Sequence, residues 1–270
     1  MSDIRVEENV VVGQAGDREL QVDVFRPAQL SGPVPGILFL PGGSWLTANR
    51  SGIKDRFGIP LARLGYVCVA GEYRVTAESP WPAQIQDVKT IIRWMRANSS
   101  ELDIDPSAIV VAGKSAGGHL ALLAAGTMGV AEFEGDGGNS GVSSEVAATV
   151  GVAAVSDISQ VIGREDLAPL LGDNPSPELV QSASPVGNVG KDYPPTLLIH
   201  GTSDSRVHHS MTMQMYQALE NAGIPVDLQL YAGQDHSFDA DPQFSRAIVA
   251  AIGLFISRHV TRPVTAGAST

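Results

Sequence analysis

Five apolar runs rich in β-branched residues recur along the chain, each held apart from the next by a stretch long enough for a helix. They lie at residues 36–40, 66–70, 108–112, 146–155 and 196–200 and read as strands buried on both faces. The clearest intervening stretch is 82–98, where Ile85, Val88, Ile92 and Met95 fall three or four apart while Gln86, Lys89, Arg93 and Arg96 take other faces. Helices are also expected over 52–64, 115–128, 210–222 and 242–258, with Gly65 and Gly223 as stops. Parallel strands need crossovers of helical length, so this alternation dictates a mostly parallel sheet with helices on both faces. The start differs: runs at 6–12 and 20–25 flank GQAGDRE, a hairpin-like connection that predicts an antiparallel opening to the sheet.

The segment 157–193 is rich in proline and serine, with apolar patches only at 161–162 and 167–171. It reads as a small excursion, or cap, near a site rather than a domain of its own. Residues 1–262 are expected to form a single domain, and the small, polar stretch 263–270 a frayed tail.

Composition narrows the function classes. Of 270 residues 43% are hydrophobic and 17% charged, which suits a large buried core. The formal charge of -11 opposes phosphate backbones and anionic lipid surfaces, excluding nucleic acid and membrane as natural partners and leaving a small molecule. The single cysteine, Cys68, lies in an apolar run and reads as a buried hydrophobe. The charged opening MSDIRVEENV lacks the apolar core of a secretory signal, so a cytoplasmic location is expected. Nothing in the sequence specifies an oligomeric state.

The stretch VVAGKSAGGHL sets Ser115 between the expected strand 108–112 and the helix that follows, as a nucleophile elbow requires. A serine hydroxyl needs a base within hydrogen-bond reach and a group that orients the base. Of six histidines, His236 stands in the loop GQDHSF after the last strand, where a ring projects over the carboxyl edge of the sheet. His208 and His209, after the Asp204 loop, are weaker candidates; His119, His200 and His259 read as structural. For the acid, LLIHGTSD lifts Asp204 to the same edge after a buried strand, and Asp157 and Asp235 compete with it. Oxyanion donors are expected from the run ending Pro41-Gly42-Gly43-Ser44-Trp45, where two glycines leave N–H groups unshielded, and from Ala116.

These residues resemble the α/β-hydrolase superfamily, and within it small bacterial carboxylesterases related to hormone-sensitive lipase and to feruloyl and acetyl esterases. PGGSW, the stretch from WPAQIQDV to GKSAGGHLALLAA, HGTSD and GQDHSF carry the resemblance. It implies a mostly parallel, twisted sheet of about eight strands with helices on both faces and a short cap. It also implies Ser115 as nucleophile, His236 as base, Asp204 as orienting acid, and oxyanion donors at Gly43, Ser44 and Ala116, with no cofactor and no metal. Where the family reads His-Gly-Gly-Gly, this chain has Pro41-Gly42-Gly43-Ser44, and Pro41 constrains its own φ. Trp45, Phe238 and His208 are expected to line the substrate pocket, Lys114 to be a solvated side chain, and Arg74 and Asp87 to form a structural ion pair. The expected activity is hydrolysis of short-chain acyl esters through an acyl-enzyme. An aminopeptidase of the prolyl-oligopeptidase type and a silent ligand receptor are the alternatives; the chain has no room for the propeller of the first, and the second has no need of all three groups.

Overall fold

The computed structural model describes residues 3–164 and 170–260. The expected tail 263–270 and residues 167–169 of the second apolar patch lie outside them. One sheet is built from β1 (Ile4–Ala15), β2 (Arg18–Pro27), β3 (Val34–Leu40), β4 (Val67–Gly71), β5 (Ile104–Lys114), β6 (Ala148–Val152), β7 (Thr196–Gly201) and β8 (Val226–Tyr231). Its order is β1-β2-β4-β3-β5-β6-β7-β8. β1 and β2 pair antiparallel, as do β2 and β4; every other pairing is parallel.

The strand pleat divides the core in two. Leu38, Leu40, Ile109 and Val111 face the helices Ala83–Ala97, Ala116–Gly126 and Ser210–Asn221. Their neighbours Ile37, Phe39, Val110 and Ala112 face residues 51–63 and the helix Pro242–His259, in the layer that also buries Cys68. Strands with both faces covered must be apolar at every position, which is why the central runs lack alternation.

Several elements differ from expectation. The hairpin connection is shorter than GQAGDRE: β1 continues to Ala15 and β2 starts at Arg18, with Ala15 opposite Arg18 across Gly16 and Asp17. β6 stops at Val152 rather than 155, because Ala153 turns the chain at φ +46° while its N–H bonds the Ile199 carbonyl at 2.8 Å. The expected helix over 52–64 is interrupted: Ser51–Ile53 and Ile59–Arg63 are α-helical, but Lys54–Gly58 is a π-turn. Within 157–193 the described residues form the short turns Ile158–Gln160 and Pro185–Asn188 and the helix Pro177–Ala183, capped by Ser176.

Part of the polar face of Ala83–Ala97 is buried. Lys89 and Arg93 are buried under residues 127–138, where Glu134 receives Lys89 Nζ at 2.8 Å and Arg93 Nη1 at 3.0 Å. Carbonyls of Thr127, Glu134 and Gly138 take further donors, and the Thr90 hydroxyl accepts Arg93 Nη2 at 3.0 Å. Burial lowers the Lys89 pKa and the Glu134 contact opposes that fall. Replacing Glu134 by Ala leaves two buried cations without their anion, and should cost roughly 2–4 kcal/mol in urea denaturation. An unchanged midpoint and slope would mean that the backbone carbonyls suffice.

His119, one turn into Ala116–Gly126, is fully buried and donates from Nε2 to the Ala183 carbonyl at 2.8 Å. Burial pushes its pKa down from 6.5 to about 4, the carbonyl contact opposing the shift only partly. Below pH 6.5 the unfolded chain therefore binds a proton that the folded chain refuses. This contribution is complete above 6.5 and is lost as pH falls towards 4, by at most about 3 kcal/mol. His119→Gln should flatten the decline of stability over that window, as read from denaturant midpoints at pH 4.5, 5.5 and 7.

Candidate active site

β5 runs straight into Ser115, which adopts φ +53°, ψ -121° before the helix Ala116–Gly126 begins. A non-glycine residue there is held in a sparsely populated conformation. The Ser115 N–H bonds the Val152 carbonyl at 2.9 Å, tying the turn to β6. Gly117 is required by close approach: a Cβ there would lie 2.4 Å from the carbonyl oxygens of both Leu40 and Pro41. The elbow is thereby pressed onto the carboxyl end of β3.

Two loops from the far side of the sheet meet this serine. His236 Nε2 is 3.0 Å from Ser115 Oγ, and His236 Nδ1 is 2.7 Å from Asp204 Oδ2. A carboxylate facing Nδ1 makes that nitrogen the donor, so Nε2 is left to accept the serine proton. Asp204 Oδ1 accepts the N–H groups of Arg206 at 2.9 Å and Val207 at 2.8 Å. Its Oδ2 also meets His200 Nε2 at 3.0 Å. That nitrogen faces the Val207 carbonyl as well, at 2.9 Å, so two acceptors require it to donate. Burial pushes the Asp204 carboxyl up, but the hydrogen bonds from His200, His236 and Val207 win and hold it well below the usual carboxylate range.

The competing carboxylates are occupied elsewhere. Asp157 accepts the Ser159 N–H at 3.0 Å and caps the turn that follows it. Asp235 Oδ1 accepts the N–H groups of Ser205 at 2.9 Å and of His236 at 2.8 Å, so it braces the His236 loop against the Asp204 loop while its side chain faces away from the ring. His200 as second donor to Asp204 was not singled out from sequence; the signal was its i,i+4 spacing across the turn HGTSD.

A cavity of about 510 Å³ opens beside Ser115 and His236. Gly42, Gly43 and Ser44 form one wall; Phe39, Ile53 and Phe57 supply an apolar part; Arg56, Lys114, Arg206 and Asp239 supply charge. Gly43 at φ +140° has no room for a side chain, since a Cβ would meet the Thr47 carbonyl oxygen at 2.2 Å. Its carbonyl accepts from Leu46 and Thr47, and Tyr73 Oη holds the Pro41 carbonyl at 3.0 Å. Among the described residues, the N–H groups of Gly43, Ser44 and Ala116 have no hydrogen-bond acceptor. Gly43 and Ser44 line the cavity, and Ala116 directly follows Ser115, which also lines it.

None of the three expected pocket residues lines this cavity. Trp45, at φ +56°, turns beneath the loop and packs its ring against the edge of His119 at 5.3 Å. Phe238 is buried among Tyr231 and Phe244. His208 is exposed and bonds Ser210 Oγ at 2.8 Å. Nor is Lys114 a solvated side chain: it pairs with Asp239. Arg74 and Asp87 form the bidentate pair, with Nη2 to Oδ1 at 2.7 Å and Nε to Oδ2 at 2.9 Å. Among the described residues no helix is long and apolar enough to cross a membrane.

Comparison with known proteins adds to this geometry. The chain is 35% identical to the probable carboxylic ester hydrolase LipM of Mycobacterium tuberculosis over 74% of its length and 48% of LipM. It is 30% identical to the esterase LipC of the same organism over 90% of its length and 63% of LipC. It thus spans about half to two thirds of these relatives. A truncated carbohydrate esterase from gut microbiota superposes with a TM-score of 0.81 at 28% identity, covering 95% of this chain and 97% of that one. With residues 22–219 matching the family model described as BD-FAE on an eight-stranded α/β-hydrolase sheet, the chain belongs to the BD-FAE family.

Proposed function

We propose that this protein is a serine carboxylesterase acting on small, short-chain acyl esters. The observation that supports this reading most strongly is the unbroken hydrogen-bond chain from Ser115 through His236 to Asp204, at the edge of a cavity walled by Gly43 and Ser44. Esterase names among the relatives support the reaction class.

Ser115 Oγ attacks the ester carbonyl while its proton passes to His236 Nε2. The carbonyl oxygen becomes an oxyanion that the N–H groups of Ala116 and of Gly43 or Ser44 stabilise. Asp204 holds the tautomer in which Nε2 accepts, and then stabilises the imidazolium. The C–O bond to the alcohol breaks, the alcohol leaves with the proton from Nε2, and the acyl group stays on Ser115. Water then repeats the attack with His236 as base, releasing the acid and restoring the serine. Every group in this cycle is the chain's own, and we assign it no cofactor.

Ser115→Ala should remove turnover of p-nitrophenyl butyrate and labelling by a fluorophosphonate while the melting temperature is retained. Asp204→Asn should lower kcat by on the order of a thousandfold, because the amide presents the wrong hydrogen-bonding pattern to Nδ1. Asp157→Asn and Asp235→Asn should do much less, and an active Asp204→Asn beside a crippled Asp235→Asn would reassign the acid.

The short-chain preference rests on the cavity lining. Apolar side chains are confined to Phe39, Pro41, Ile53 and Phe57, so a long alkyl chain would soon lie along charged groups and forfeit the gain of about 0.8 kcal/mol per buried methylene. In a p-nitrophenyl ester series, kcat/KM should peak between acetyl and butyryl; a peak at decanoyl or beyond would refute the preference and leave the esterase reading intact.

A further inference from the structure

Among the described residues, Asp239 is the only carboxylate lining the cavity, and its side chain is 1% exposed. Two cations meet it. Lys114 Nζ pairs with Oδ1, and Arg56 Nη1 lies 3.0 Å from Oδ2. The positions of these partners in the chain matter more than their number. Lys114 is the last residue of β5 and precedes Ser115 directly. Asp239 sits in the turn Phe238–Ala240, three residues after His236. The ion pair therefore runs alongside the Ser115–His236 hydrogen bond and joins the same two segments, closing a ring through Ser115, Lys114, Asp239 and His236. Arg56 enters from the π-turn Lys54–Gly58, so the third segment of the cavity wall is tied to the same carboxylate.

We propose that Asp239 is a positioning residue for the ester hydrolysis inferred above, setting the separation of Ser115 and His236 through Lys114. The inference rests on that functional reading. The opposite flank of the histidine loop is already braced by Asp235 against Ser205. The Lys114–Asp239 pair supplies the restraint on the side that faces the nucleophile. A carboxylate this buried needs its cations, and those cations need it in turn, since without it Lys114 and Arg56 would face one another across the cavity wall. A displacement of about 1 Å between nucleophile and base is enough to cost on the order of a hundredfold in rate.

The test is a double-mutant cycle on Lys114→Met and Asp239→Asn, with Lys114→Arg as the conservative variant, read as kcat and KM for p-nitrophenyl butyrate alongside melting temperatures. Each single variant should lower kcat roughly ten- to hundredfold with KM changed less than about threefold. The double variant should be no slower than the worse single, and Lys114→Arg should stay within a few-fold of the parent. Should Asp239→Asn fail to fold, Lys114→Met decides alone, because it leaves Asp239 paired with Arg56. Lowered melting temperatures with parental kcat, or effects that multiply in the double variant, would overturn the positioning role and leave the esterase reading standing. A parent enzyme that hydrolyses no ester, and whose Ser115 takes no fluorophosphonate, would instead defeat the reading beneath it.

Discussion

The contact on which the rest of the site depends is the approach of the helix after Ser115 to the end of β3. Gly117 lies so close to the carbonyls of Leu40 and Pro41 that no larger residue fits. That closeness sets the elbow against the Gly42 loop, where a Cβ on Gly42 would lie 3.2 Å from Ser115 Cβ, although the two come from different crossovers of the sheet. The cost is local: Ser115 takes a conformation that strains a non-glycine residue by about 1–3 kcal/mol. The surroundings hold it there, through the bond from its N–H to Val152 on the neighbouring strand and through the fully buried helix behind it. Strain of this kind survives only where packing on every side over-determines the backbone.

Charge is distributed against the trend of the molecule. The chain carries a formal charge of -11, yet among the described residues its cavity is lined by Arg56, Lys114 and Arg206 with Asp239 as the sole carboxylate. Asp204 stands behind the ring of His236, outside the lining. Its carboxylate is desolvated, but two backbone N–H groups and two imidazoles turn toward it, and hydrogen bonding to the charged form outweighs burial. A fixed negative charge behind the imidazole is the polarity that the proton transfer proposed from Ser115 to His236 requires.

How much of this was legible in the sequence follows from what each residue must satisfy. The five central strands could be read because burial on both faces leaves no choice but apolar residues. The meeting of Ser115, His236 and Asp204 could be anticipated because each follows a strand, and parallel strands end on one edge. Side-chain direction in loops was another matter. Trp45 looked like a pocket wall, but a positive φ at Ser44 and Trp45 rotates the indole beneath the loop, and no local pattern announces that. Lys114 was expected to be solvated, since a lysine in a turn ordinarily is, and nothing in the helical pattern shows that Lys89 and Arg93, on the other faces of their helix, are buried. Glu134 lies 45 residues from Lys89 and 41 from Arg93, and Asp239 lies 125 from Lys114, so only the tertiary fold brings these anions near.

The π-turn at Lys54–Gly58 carries a consequence for how such a cavity can diversify. Its i to i+5 bond, from the Ile59 N–H to the Lys54 carbonyl, adds one residue to a helical turn. Arg56 and Phe57 reach the cavity from this widened turn, and Ile53 from the α-helical turn just before it. A wall built in this way is adjustable in length as well as in composition. Losing one residue would restore an ordinary helix and rotate its cavity face, while β3, β5 and the elbow stayed where they are. The shape of such a cavity could then change by single-residue insertion and deletion in one helix, and each such change would also move Arg56 relative to Asp239.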